Sequence, residues 1–226
     1  MIRLRGVCRT YHTEAEKIVA LNNVSLDVAA GELLAISGAS GSGKTTLINV
    51  IAGLLSVDQG SVQVAGQDIA SMSSNGRADV RLSEIGVVFQ DHNLIPEFTA
   101  LENATLPLRA SGLSRNAAAS EVEDLLSRMG LSGSGARFPR QLSGGQQQRI
   151  GIARALAGGK RILLADEPTG SLDVTNSAAI FELLRELADS GVCVLVASHD
   201  PQVLQVATRT AIMADGVLAE TEPSVA

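Results

Sequence analysis

Short apolar runs, separated by helical patterns, fill most of the chain. Ile2 to Arg9, Ala20 to Val28 and Ser61 to Val64 are predicted strands, the first two with partial alternation of apolar and polar positions. Leu33 to Ser37 is a continuous apolar strand that enters a glycine-rich turn and then a helical stretch, Thr45 to Leu55. Ile85 to Phe89, Ile162 to Ala165 and Val192 to Ala197 are three more runs of buried-strand character. Asp173 is placed to cap a helix that carries Ile180, Leu183, Leu184 and Leu187 on one face and stops at Gly191. Asp200-Pro201 reads as an N-cap followed by proline at the first helical position, and Asp215-Gly216 as a tight hairpin between Ala211–Ala214 and Val217–Glu220.

From Thr99 to Ala157 the pattern changes to helix after helix. Thr99-Ala100-Leu101-Glu102 matches a capping box, a second helix runs from Arg115 to Met129 and ends at Gly130, and the loop Gly133-Ser134-Gly135 leads to a third helix that begins at Leu142-Ser143-Gly144-Gly145. The prediction is an α/β core with a mainly parallel sheet, built from residues 1–90 and 158–226, interrupted by a helical segment at 91–157.

Composition narrows the class. The 226 residues are 45% hydrophobic and carry a formal charge of -6, which argues against bulk attraction to nucleic acid or anionic lipid. Cys8 and Cys193 are too few for a disulfide framework or a zinc cluster, and a reducing compartment follows. No apolar run approaches the ~18 residues of a membrane span, and the first residues lack the apolar core of a signal peptide. A soluble intracellular protein is expected.

Candidate chemistry collects where buried strands end. Ligands of open parallel sheets bind outside the carboxyl ends of the strands. Leu33–Ser37 runs into Gly38-Ala39-Ser40-Gly41-Ser42-Gly43-Lys44-Thr45-Thr46, a phosphate-binding loop pattern in strand–loop–helix context. Its backbone N–H groups and the helix start would cradle phosphates, Lys44 would reach the terminal phosphates, and Thr45 would bind Mg²⁺. Asp166, after Ile162–Ala165, suits Mg²⁺ as an oxygen ligand, and Glu167 beside it suits a general base that activates water. Gln90 and His199 end two further strands, the first able to reach metal or water and the second the terminal phosphate. Leu142-Ser143-Gly144-Gly145-Gln146 opens a second helix with exposed donors, a further anion-binding start. His12 and His92 have no such context and are taken as surface residues.

Taken together, the phosphate loop, Gln90, Leu142-Ser143-Gly144-Gly145-Gln146, Asp166-Glu167, Ser171-Leu172-Asp173 and His199 resemble ABC-transporter ATPase subunits over essentially the whole chain. The resemblance implies a P-loop NTPase core with an N-terminal antiparallel β region and an inserted helical subdomain, ATP and Mg²⁺ as ligands, and a head-to-tail dimer of two copies. Within it, Ser143, Gly144, Gly145 and Gln146 would bind ATP held by the second copy, Asp173 would couple the two sites, and Tyr11 would stack on adenine. Asp166-Glu167-Pro168-Thr169-Gly170-Ser171-Leu172-Asp173 and Phe98-Thr99-Ala100-Leu101-Glu102-Asn103 are similar to the lipoprotein-release, macrolide-export and peptide-resistance group. That group more often has Asn where Ser171 stands, and Ala157-Gly158-Gly159-Lys160 is glycine-rich where a proline is common, a loop variation.

The length implies, by the same resemblance, a separate subunit docked on transmembrane permease partners at the cytoplasmic face of the cell membrane, with Leu94, Ile95, Pro96 and Phe98 offering apolar contact. The reading is an ATP-hydrolysing subunit that drives export or release of a substrate from the membrane. Its rivals are a cell-division-type module signalling through a membrane partner, a soluble ABC ATPase acting on DNA or ribosomes, and a P-loop kinase or nucleotide-binding regulator. The second would show tandem cassettes, a coiled-coil insertion or a basic arm, and the third leaves the Ser143 motif without a role.

Overall fold

Alternation along the buried strands sends side chains to both faces of one sheet, and both faces are covered. The computed structural model describes residues 1–12 and 16–221. In the larger sheet β3 (Leu33–Ser37) is central, with β8 (Cys193–Ala197), β7 (Ile162–Asp166) and β6 (Ile85–Val88) on one side. On its other side lie β9 (Arg209–Ala214) and β10 (Val217–Thr221). All neighbours are parallel except β9 and β10, the hairpin expected at Asp215-Gly216.

Leu33, Ala35, Leu163, Ala165, Val194 and Val196 face one core. There they meet α3 (Ala100–Ala110), α4 (Arg115–Arg128), α5 (Gly144–Leu156) and α6 (Val174–Asp189). Leu34, Ile36, Leu164, Leu195 and Ala197 face the other, packed on α1 (Lys44–Ile51) and on a second sheet. That sheet is antiparallel, in the order β2 (Lys17–Val28), β1 (Ile2–His12), β4 (Gln59–Val64), β5 (Gln67–Asp68). Each large aliphatic side chain so buried stabilises by about 1.5–3 kcal/mol. Burial also pushes the Cys193 thiol up to about 12, so it is an inert core residue.

Local signals place most ends. Thr99 and Glu102 form the expected capping box, Ser143 and Gln146 form a second one at the start of α5, and Asp173 caps α6 through the Asn176 N–H at 2.9 Å. Three expectations need correction. α1 stops at Ile51 rather than Leu55, because Gly53 turns left-handed and the Leu54 N–H closes onto the Asn49 carbonyl. After Asp200, whose carboxylate accepts from the Gln202 N–H, Pro201 opens only a turn, and the α-helix α7 is confined to Val203–Val206. A helix absent from the sequence reading, α2 (Ser74–Glu84), precedes β6; Val80 is its one buried residue, too little for a visible stripe.

The contact that fixes α5 to the sheet is close. A Cβ on Gly86 of β6 would lie 2.3 Å from the Ala155 carbonyl oxygen and 2.9 Å from its Cβ. Gly86→Ala is expected to destabilise by roughly 1–3 kcal/mol through overpacking. Gly76→Ala in α2, whose nearest atoms stand 3.5 Å off, should stabilise by up to about 1 kcal/mol. Urea unfolding of the two variants checks the contrast; equal midpoints would mean that α5 does not press on β6.

Candidate nucleotide site

Because β3, β8, β7 and β6 are parallel and in register, their carboxyl ends open on one edge. Val88 pairs with Ala165, and Asp166 and Ile36 both pair with Ala197. The loop after β3, Gln90 after β6, Glu167 after β7 and His199 after β8 therefore converge. A cavity of about 670 Å³ is lined by Gly38, Ala39, Ser40, Gly41, Gly43, Lys44, Thr45 and Thr46, together with Tyr11, Gln90, Glu167 and His199.

The loop is held down by its glycines. A Cβ on Gly38 would come within 2.2 Å of the Met213 carbonyl oxygen, and one on Gly43 within 2.3 Å of the Ala20 carbonyl oxygen. Gly43 also supplies the left-handed cap of α1, at φ 111°, and no side chain occupies the donor groups of that helix start. Positive charge and orphan N–H groups thus face the cavity. Lys44, buried as a residue, donates through its ammonium to the carbonyls of Gly38 at 2.7 Å and Ala39 at 3.1 Å.

Opposite the loop stand two adjacent carboxylates. Asp166 and Glu167, with Thr45 and Gln90, line a smaller cavity of about 260 Å³. Burial raises the Asp166 carboxyl above the usual carboxylate range; a hydrogen bond with Thr45 lowers it in part, the Glu167 charge raises it further, and Lys44 lowers it. Its Oδ1 is buried without a partner, as is the Ser42 hydroxyl. Glu167 stands in the left-handed region, φ 49°, where a non-glycine residue is strained by about 1–3 kcal/mol. Its N–H bonds the Ala197 carbonyl at 2.8 Å. Its Oε2 accepts from His199 Nδ1 at 2.9 Å and from the Ser198 hydroxyl and His199 N–H at 3.3 Å each.

Not every candidate lies here. Ser143, Gly144, Gly145, Gln146 and Asp173 line neither cavity. The start of α5 sits instead against its own chain's Leu172 and Asn176: a Cβ on Gly144 would be 3.0 Å from Leu172, and one on Gly145 2.7 Å from Asn176 Oδ1. Asp173 caps α6, and hydrogen bonds from Asn176 hold its carboxyl below the ordinary range. The Tyr11 ring borders the cavity with the Arg9 guanidinium 5.3 Å from its centroid.

His12 is exposed, as expected, but His92 is not a plain surface residue. It and Asn93 adopt positive φ in the loop after Gln90, and the His92 ring bonds the fully buried Gln148 amide of α5. Arg154 of the same helix donates to the His92 carbonyl at 2.7 Å and the Asn93 carbonyl at 2.6 Å. Ser198, fully buried at the end of β8, donates to Glu167, a role that its place at a polar strand ending does not by itself reveal. A glutamine in the stripe Gln148, Ile152, Ala155 was the available signal for the clasp.

A glycine-bound lysine loop at a parallel sheet edge, facing adjacent carboxylates, defines a nucleoside-triphosphate-binding protein of the P-loop class. Residues 21–170 match the ABC transporter family model, and the chain belongs to that family. It is 40% identical over 225 residues to the macrolide export ATP-binding/permease protein MacB of Escherichia coli K12. The corresponding Shigella boydii protein is 39% identical. All of this chain but only 35% of those relatives is matched, so it spans about a third of their length. Among solved structures, the dimeric structure of MJ0796, a bacterial ABC transporter cassette, superposes with a TM-score of 0.89 at 38% identity over 98% of each chain. The same values hold for the dimeric structure of a post-hydrolysis state of that cassette bound to ADP and Pi.

A raised carboxyl is a standing cost at neutral pH: the folded state favours the protonated form, so the charged form weakens folding as pH rises past the ordinary carboxylate range. Asp166→Asn is accordingly expected to raise the thermal midpoint at pH 7 without divalent metal, and to leave it nearly unchanged at acid pH. Calorimetry at the two pH values tests this; a midpoint lowered at pH 7 would contradict it.

Proposed function

We propose that two copies of this chain close head to tail around two ATP molecules, hydrolyse them, and use the motion to drive a membrane permease in export or release of a substrate from the membrane. The observation that carries this reading is the convergence of the Lys44 loop with Glu167, whose carboxylate is clamped by Ser198 and His199. The family membership and the dimeric cassettes of similar fold support it.

The roles follow from chemistry. Loop N–H groups from Gly38 to Thr46 and the Lys44 ammonium hold the phosphates, and Tyr11 stacks on adenine. Glu167 takes a proton from water as the water oxygen bonds the terminal phosphorus and the bond to the departing ADP oxygen breaks. His199, tied to Glu167, donates to the terminal phosphate. Ser143, Gly144, Gly145 and Gln146 of the second copy cover that phosphate, and Asp173 links one site to the other. In a single copy these residues lie away from the cavity, which is the arrangement that a second copy would complete.

The metal donors fit as well. The Thr45 hydroxyl, the Gln90 amide oxygen and Asp166, with its buried unpartnered oxygen, form an oxygen-only set suited to Mg²⁺. Bound there, Mg²⁺ would supply positive charge to offset that of the phosphates. No helix among the described residues is long and apolar enough to cross a membrane. The curated relatives carry permease in their names, and we place this cassette on such a partner at the cytoplasmic face.

Glu167→Gln keeps the size of the side chain and removes the base. Steady-state turnover is expected to fall about 100-fold or more, while an ATP-bound dimer accumulates in light scattering. Parent-like hydrolysis by this variant would remove Glu167 from the reaction.

A further inference from the structure

Lys160 closes the glycine-rich loop Ala157-Gly158-Gly159-Lys160, and the nucleotide chemistry does not use it. It lies just before β7, at the amino edge of the sheet, and lines a cleft of about 1290 Å³ that shares no residue with the nucleotide cavity. Leu82, Leu108, Leu125, Leu156 and Leu187 from α2, α3, α4, α5 and α6, with Met129 just after α4, form an apolar wall in it. Lys160 is only 8% exposed, yet among the described residues its ammonium makes no hydrogen bond and no ion pair. The carbonyl ends of α3 and α6 border the cleft, and neither accepts from it.

The other charged groups of the lining are Asp79, Glu121, Asp124, Arg128 and Arg161. Asp79, Asp124 and Arg128 are exposed to solvent and screened. Glu121 accepts from the Gly158 N–H at 2.7 Å, and Arg161 pairs with Glu84 at 3.2 Å. Lys160 is therefore the one charged side chain of this lining that is largely buried and has no protein partner, its ammonium still reached by solvent. An ammonium on a side chain so largely covered, with no protein partner, is a charge that an anion in the cleft would match. Burial does pull Lys160 down to about 8.

We propose that this cleft binds an aliphatic chain ending in a single carboxylate, with the head on Lys160 and the chain along the leucine-lined wall. A leucine-rich wall beside one largely buried, unpartnered cation is the composition of a small-ligand site, and the cleft is larger than the ~300–1000 Å³ typical of such sites. The assignment is independent of the nucleotide reading and uses none of its residues.

The test is calorimetric titration of the full chain with dodecanoate and dodecanol, both below their self-association concentrations and without nucleotide. Dodecanoate is expected to bind at least tenfold more tightly than dodecanol at pH 7. Lys160→Met should erase that difference while leaving dodecanol binding intact. Because the amine is charged below about 8 and neutral above, raising the pH from 7 to 9.5 should weaken dodecanoate about tenfold in the parent and not in the variant. None of the other five charged groups is an amine, thiol or imidazole. Equal binding of the two probes by the parent, which needs no variant to observe, overturns the proposal, as does no binding of either. Unchanged discrimination in a folded Lys160→Met protein also overturns it.

Discussion

The arrangement depends on a concentration of charge that the folded chain does not itself neutralise. Asp166 and Glu167 are neighbours at the end of a buried strand, one with an orphaned oxygen and a raised carboxyl, the other held in a strained left-handed backbone. Across from them the Lys44 ammonium is tied to carbonyls of its own loop. Like charges side by side and a cation nearby form a poor structural solution but a good receptor for a polyphosphate with its metal. The parallel register makes this possible, since it brings four strand ends to one edge. The glycines let the loop lie against Met213 and Ala20, where any Cβ would collide.

A second constraint joins that edge to the helical segment. Gly86 lets α5 press on β6, and two strand positions later the chain enters the loop that carries Gln90. The tip of that loop is strained at His92 and Asn93 and is fastened to α5 by Arg154 and Gln148. The helix that begins at Ser143 and the loop that presents Gln90 are therefore one mechanical piece. A displacement of α5 would be felt at Gln90, beside Asp166 and Glu167.

Much of this was readable from residue order. β3, β7 and β8 announce themselves because both faces are buried and every position is apolar until the functional residue. The capping boxes at Thr99 and Ser143 mark helix starts because the partner lies three residues away. What escaped depends on distant partners or on weak burial. His92 lies in a polar loop, and its role rests on Arg154, 62 residues further along. α2 buries one valine and shows no stripe. Lys160 reads as loop variation because nothing nearby in sequence reveals that it borders a cleft lined from five helices. The residues mark the Ser143 segment, but which copy's nucleotide it would meet rests on the family resemblance alone.

That last question is the most direct to measure. Ser40→Cys and Ser143→Cys, introduced together in the Glu167→Gln chain with Cys8 and Cys193 replaced, would be treated with a short bifunctional thiol reagent. With ATP and Mg²⁺ the account predicts a cross-linked species of two chains, absent without nucleotide and absent from either single-cysteine chain. Two-chain product that ignores nucleotide, or none at all while ATP is bound, would contradict it.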